Sequence, residues 1–250
     1  MLEDGAFVIG GQALNLWAEF YSAAEELHLY RPYTSKDIDY FGRREAAQKL
    51  AQALGGKVLI PEVDNQTPET AIVEAVVDGI SIRIDFLGHV LGVRPKELTA
   101  GVAEIIVPYE RAGLAGQVAI PVMNPLHCLQ SRIANLNILK RPDDTARRQA
   151  AAAPIVLQEY ISHALRDGDH REATRTLQGL FRFLSRDPSG RQAHRLAARD
   201  PLNVMTAFVD DNRIDARYRE KILRPAIVKI ERQRSAVGRA IAALTSRREK

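Results

Sequence analysis

Cysteine is all but missing from this chain, with Cys128 the single one in 250 residues. One thiol excludes an intrachain disulfide and a cysteine-built metal cluster, and it fits a reducing compartment. Tryptophan also occurs once, as Trp17, and a lone indole on a helical pattern reads as core. No apolar run approaches the length that spans a bilayer. The opening "MLEDGAFVIGG" begins acidic and its apolar stretch is too short for a secretory h-region. Cytoplasmic residence is the expectation. Solenoid-type repeats are missing, and the only biased tract is the short "RRQAAAAP".

What is present suits a globular protein. Hydrophobic residues make up 46% and charged ones 26%, enough for a core in one large domain or two modest ones. The net charge of +4 is spread unevenly. From Arg213 onward Arg and Lys far outnumber Asp and Glu, whereas the first hundred residues are closer to neutral. That asymmetry suits a polyanion such as RNA or a nucleotide's phosphates, and it equally suits a solvated helix surface.

The first half reads as mixed α/β. "AFVI" is a short apolar strand ending at Gly10-Gly11, and "QALNLWAEFYSAAEEL" follows with Ala13, Leu16, Trp17 and Phe20 on one helical side. "RREAAQKLAQALGG" is a second helix with a Gly55-Gly56 stop. "KVLIP", "TAIVEAVVDG", "ISIRIDFLG", "EIIVPY" and "QVAIPVM" are strand candidates, with Asp78-Gly79 as a hairpin signal. At Asn124-Pro125 the pattern changes. Helical segments run from there to the end, broken at "RPDD", "DGDH", "DPSG" and "RDP". The expectation is an α/β domain over residues 1–123 and a helical domain over 124–250.

Three features of the first half can serve one phosphate-bearing ligand. At the strand-to-helix junction Gly10-Gly11, residues without Cβ let a phosphate approach the backbone and a helix N-terminus. The segment is neither a Walker A loop nor a full dinucleotide fingerprint. In "PYTSKDIDYFG", Asp37 and Asp39 project from one strand face, a like-charge arrangement that costs free energy unless a cation shares it. Hard carboxylate oxygens suit Mg²⁺ together with substrate phosphates; a solvent-facing strand edge is the plainer alternative. In "ISIRIDFLG" the alternation leaves Ser81, Arg83 and Asp85 opposite the apolar face. If the two strands are neighbours, three carboxylates share one face.

The order Gly-Gly, D-x-D and a later single Asp resembles the nucleotidyltransferases of the DNA polymerase β superfamily. The blocks "FVIGGQALNLW" and "RPYTSKDIDYF" are similar to those of the abortive-infection AbiEii/AbiGii toxin-like type. The resemblance covers about the first half specifically and the helical half in outline. It implies an α+β fold, a nucleotidyltransferase-like mixed sheet flanked by helices and followed by an all-helical domain. It further implies a pyrophosphate-releasing transfer of NMP from NTP to an acceptor hydroxyl, using two Mg²⁺ ions. Asp37, Asp39 and Asp85 would be the catalytic metal-binding carboxylates. Gly10, Gly11 and Gln12, with Thr34, Ser35 and Lys36, would bind the nucleotide. Arg132, in "CLQSRIANLNILKR", would offset triphosphate charge. RNA or tRNA as acceptor and an antitoxin as protein partner belong to the same set of expectations. Gln12 stands where a small hydroxyl residue is frequent in that family, and the Gly11 to Asp37 gap is longer than in its compact members. A non-catalytic RNA- or protein-binding module on the same fold is the competing expectation.

Overall fold

The structure is a computed structural model, and it describes residues 5–32, 37–61, 68–111, 113–140 and 143–235. In chain order come β1 (Phe7–Val8), α1 (Gly10–Phe20), α2 (Glu25–His28), β2 (Ile38–Phe41) and α3 (Arg44–Leu54). Next are β3 (Lys57–Leu59), β4 (Glu69–Val77), β5 (Ile80–Leu87), α4 (Pro95–Ala100), β6 (Ala103–Arg111) and β7 (Leu114–Val122). Helices complete it: α5 (Pro125–Ile138), α6 (Asp144–Arg166), α7 (His170–Arg186), α8 (Pro188–Leu196), α9 (Leu202–Ala207), α10 (Ala216–Tyr218) and α11 (Arg224–Arg234). A π-helical turn, Arg219–Leu223, joins the last two.

The strands form one mixed seven-stranded sheet in the order β3-β4-β5-β2-β1-β7-β6. β2 is parallel to β5 and antiparallel to β1, which in turn is parallel to β7. The β4–β5 hairpin turns through Asp78 and Gly79, both with positive φ (50° and 80°), as the two-residue type I′ connection requires. This is the α+β fold expected, a mixed sheet with flanking helices and further helices toward the C-terminus.

Side-chain alternation divides the sheet's two faces. Ile38, Tyr40, Ile84 and Phe86 join Ala46, Ala47 and Ala51 of α3 in one apolar cluster. Phe41 and Leu87, one residue out of step, pack instead against the main core, which runs from β1, α1 and β7 through α5, α6 and α7. Asp39 and Asp85 share the parity of Phe41 and Leu87, so they face the helical side.

Two details differ from the sequence reading. The helix after Gly10-Gly11 takes both glycines into its first turn and ends at Phe20, with a break before α2. Its buried face is Ala13, Leu14, Trp17 and Ala18; Phe20 is 42% exposed and stacks on His163. Apolar residues on three sides of this helix blurred the stripe. Trp17 is core as expected, and its indole N–H donates to the Met123 carbonyl at 2.9 Å. Asn124 caps α5 by accepting the Leu126 N–H, and aspartates cap α6, α7 and α8 at the sequence breaks. Among the described residues no helix is long and apolar enough to cross a membrane.

Candidate active site

Strand pairing aligns the aspartates. β2 and β5 run parallel with Asp39 directly opposite Asp85, and neighbouring strands lie ~4.8 Å apart, so both carboxylates rise side by side from one face. Asp37, just before β2, shares that parity and is exposed. Neither strand can shift by one residue without sending its carboxylates into the α3 side, where Ile38, Tyr40, Ile84 and Phe86 are packed.

Gly10 abuts this pair. Ile9 donates its N–H to the Asp39 carbonyl at 2.9 Å, and Gly10 then turns with φ of +69°. A Cβ at Gly10 would fall 2.4 Å from Asp39 Oδ2. The first glycine is therefore required twice, by its backbone conformation and by the carboxylate lying over it. Gly11 is buried and Gln12 half-buried in the first turn of α1. Thr34, Ser35 and Lys36 lie outside the described residues.

The charges around Asp39 are unbalanced. Its carboxyl is pushed up to about 6, first by burial and then by Asp37, Asp85 and Glu69, while Arg132 works in the opposite direction. The Arg132 guanidinium, on α5, is thus within electrostatic reach of Asp39. This guanidinium donates to Gln149 Oε1 at 2.9 Å and to Ser131 Oγ at 3.3 Å, contacts that fix its direction. Asp85 has a different partner: Arg83 Nε donates to its Oδ1 at 2.9 Å, from a side chain 56% exposed. Two-residue spacing along one strand brings Arg83 to that face.

Asp39, Asp85 and Gly10 thus meet on the central strands of the sheet, with Asp37 and Arg132 within electrostatic reach of Asp39. Sequence reasoning passed over Glu69, Gln149 and the pairing role of Arg83. Only Arg83 carried a signal, its parity with Asp85; Glu69 and Gln149 arrive through strand order and the α5–α6 packing. Among the described residues no group of three or more His, Cys, Asp or Glu is arranged to hold a metal ion. Cavities of ≈ 1190 Å³ and ≈ 710 Å³ lie elsewhere, lined by none of the three aspartates.

Other reactive groups have structural roles. Burial pushes the Cys128 thiol up to about 12, so it stays protonated, and its Sγ lies 3.5 Å from the Met123 carbonyl. Burial lowers the pKa of His127, favouring neutral imidazole. Tyr40 stacks on Phe86 and Phe41 packs on Phe7, so both aromatics of the D-x-D strand are used in packing. Lys140 follows the end of α5 with φ of +48° and is exposed.

Comparison with protein-family models, with curated proteins and with solved structures returns no match.

Proposed function

We propose that the protein is a Mg²⁺-dependent nucleotidyltransferase that moves a nucleoside monophosphate from an NTP to an acceptor hydroxyl. The observation that carries this reading is the register of Asp39 against Asp85, with Gly10 pressed on the Asp39 carboxylate. It agrees with the resemblance of the Gly-Gly and D-x-D blocks to the AbiEii/AbiGii-type enzymes of the polymerase β superfamily.

The donor set fits Mg²⁺. Carboxylate oxygens are its preferred protein ligands, one or two are usual beside substrate phosphates, and Asp39's raised pKa marks a place where added positive charge is favourable. Asp37 and Asp39 would hold the metal, with Asp85 beside them. When bound, Mg²⁺ supplies charge neutralisation on the triphosphate and lowers the pKa of the attacking hydroxyl. Arg132 offsets charge on the triphosphate and departing pyrophosphate. The acceptor oxygen bonds to the α-phosphorus, the α–β bridging P–O bond breaks with its electrons leaving on pyrophosphate, and Asp85 takes the hydroxyl proton. RNA, tRNA in particular, is the acceptor class that the basic C-terminal helices favour. An antitoxin partner follows from the same resemblance, and the single cysteine suits a cytoplasmic setting.

The test is transfer of radiolabelled NMP from each NTP to RNA in Mg²⁺. Asp37→Asn and Asp39→Asn each reduce the rate roughly a hundredfold or more. Transfer indifferent to both changes rules the reading out. A second reading, a non-catalytic RNA- or protein-binding module, is favoured by one contact: Arg83 already gives Asp85 a cation. Salt-dependent RNA binding without Mg²⁺–NTP binding would select it.

A further inference from the structure

We propose that the ≈ 710 Å³ cavity between the start of α7 and the α9–α10 connection is a phosphate-binding site. It stands apart from the aspartates and does not depend on the catalytic reading. Arg171, Arg213, Arg219 and His170 line it, against one carboxylate, Asp215. That carboxylate is committed to accepting the Tyr218 N–H at 2.9 Å. Asp211 holds Arg213 from outside the cavity, with Nη2 at 2.6 Å from Oδ2 and Nε at 3.0 Å from Oδ1. Among the described residues Arg171 and Arg219 form no ion pair, and Arg219 feels the Asp211 charge only from beyond salt-bridge reach.

Arg219 is the more telling of them. Its Nε is buried without a hydrogen-bond partner among the described residues, and burial of an unmade donor is costly. It opens the π-helical turn Arg219–Leu223, a local distortion of the kind that recurs where a helix serves a ligand. Arg171 is exposed in the first turn of the 17-residue helix α7, whose N-terminal end adds partial positive charge. Among the described residues Arg171 has no ion pair. Guanidinium forks on two walls of an open cavity, one short of acceptors, match a phosphate's planar pairs of oxygens. The phosphate can belong to a free nucleotide-like compound or to a polynucleotide backbone.

Calorimetric titration of the full chain with sodium pyrophosphate in EDTA tests the site without metal at the aspartates. The expected result is one saturable event that Arg171→Gln and Arg219→Gln each weaken by about tenfold or more, and that Asp39→Asn leaves unchanged. Arg171 is exposed and its substitution leaves the core intact, so that variant carries the test if Arg219→Gln is unstable. No saturable binding, or binding within about twofold of wild type in a folded Arg171→Gln protein, overturns the proposal. Fluorescent oligo(A) RNA separates the two sources. RNA binding displaced by pyrophosphate and weakened in the same variants identifies a backbone phosphate, and RNA binding indifferent to them identifies a free phosphate compound.

Discussion

At Gly10 one hydrogen atom decides the geometry of the site. A methyl group there meets Asp39 Oδ2 at 2.4 Å, and that oxygen ends a side chain able to rotate, so the chain yields by turning the carboxylate away. The φ of +69° adds a backbone penalty of ~1–2 kcal/mol for any L residue. Gly10→Ala should therefore lose nucleotidyl transfer almost as fully as Asp39→Asn while remaining folded; full transfer in the variant would contradict the geometry. Asp39 itself gives a pH signature. Its folded pKa of about 6 lies above the ordinary 3.8, so the folded chain keeps a proton that the unfolded chain releases. The linked stability is fully present below pH ~4, falls through pH 4 to 6, and is lost above that. Two units are worth at most ~3 kcal/mol, and solvent screening of this partly exposed group reduces that to ~1–2 kcal/mol. Urea unfolding should show Asp39→Asn gaining on wild type between pH 4 and 6, with a constant gap above. Saturating Mg²⁺ should close that gap at pH 7 by stabilising wild type alone. A gap that ignores pH would remove the electrostatic account of the site.

Among the elements, helices α5 to α8 and α10 owe their starting points to single side chains. Asp187 ends α7 and caps α8, its Oδ1 accepting the N–H groups of Ser189 at 2.8 Å and Gly190 at 3.0 Å. Asp187→Ala leaves two buried-end donors unmet and should cost ~1–2 kcal/mol in urea unfolding, with the α8 amides exchanging fastest; unchanged protection there would argue that water replaces the cap. Caps of this type, at Asn124, Asp143, Asp169 and Asp187, are why the helical half was legible from its turn residues. Strands β3 to β7 were legible by alternation and by Asp78-Gly79. Less so were elements decided by tertiary packing: the break between α1 and α2, the short α4, and Pro154, which lies inside α6. The carboxylate face was legible as parity within each strand, Asp37 with Asp39 and Arg83 with Asp85. That β2 and β5 are neighbours, with Asp39 opposite Asp85, is a long-range pairing that no local pattern encodes.

Across the whole molecule one apolar core joins the sheet to the helices. Phe7, Val8 and Val122 from the strands, Leu14 and Trp17 from α1, and Leu129, Leu157, Leu177 and Leu180 from the helices belong to a single buried cluster. Trp17 bridges the two parts directly. It bonds the Met123 carbonyl and packs edge-on to Tyr160 of α6 at 5.5 Å, so its fluorescence reports the junction while far-UV circular dichroism reports mainly the helices. If the junction is as strong as its burial, the two probes trace the same denaturation curve. Leu129, fully buried on α5 within that shared cluster, sharpens the test. Truncating it to Ala should cost ~2–5 kcal/mol and shift both curves together. Two separated transitions, with only the helical one moved by Leu129→Ala, would mean that the sheet and its aspartates fold without the helices that bring Arg132 to them.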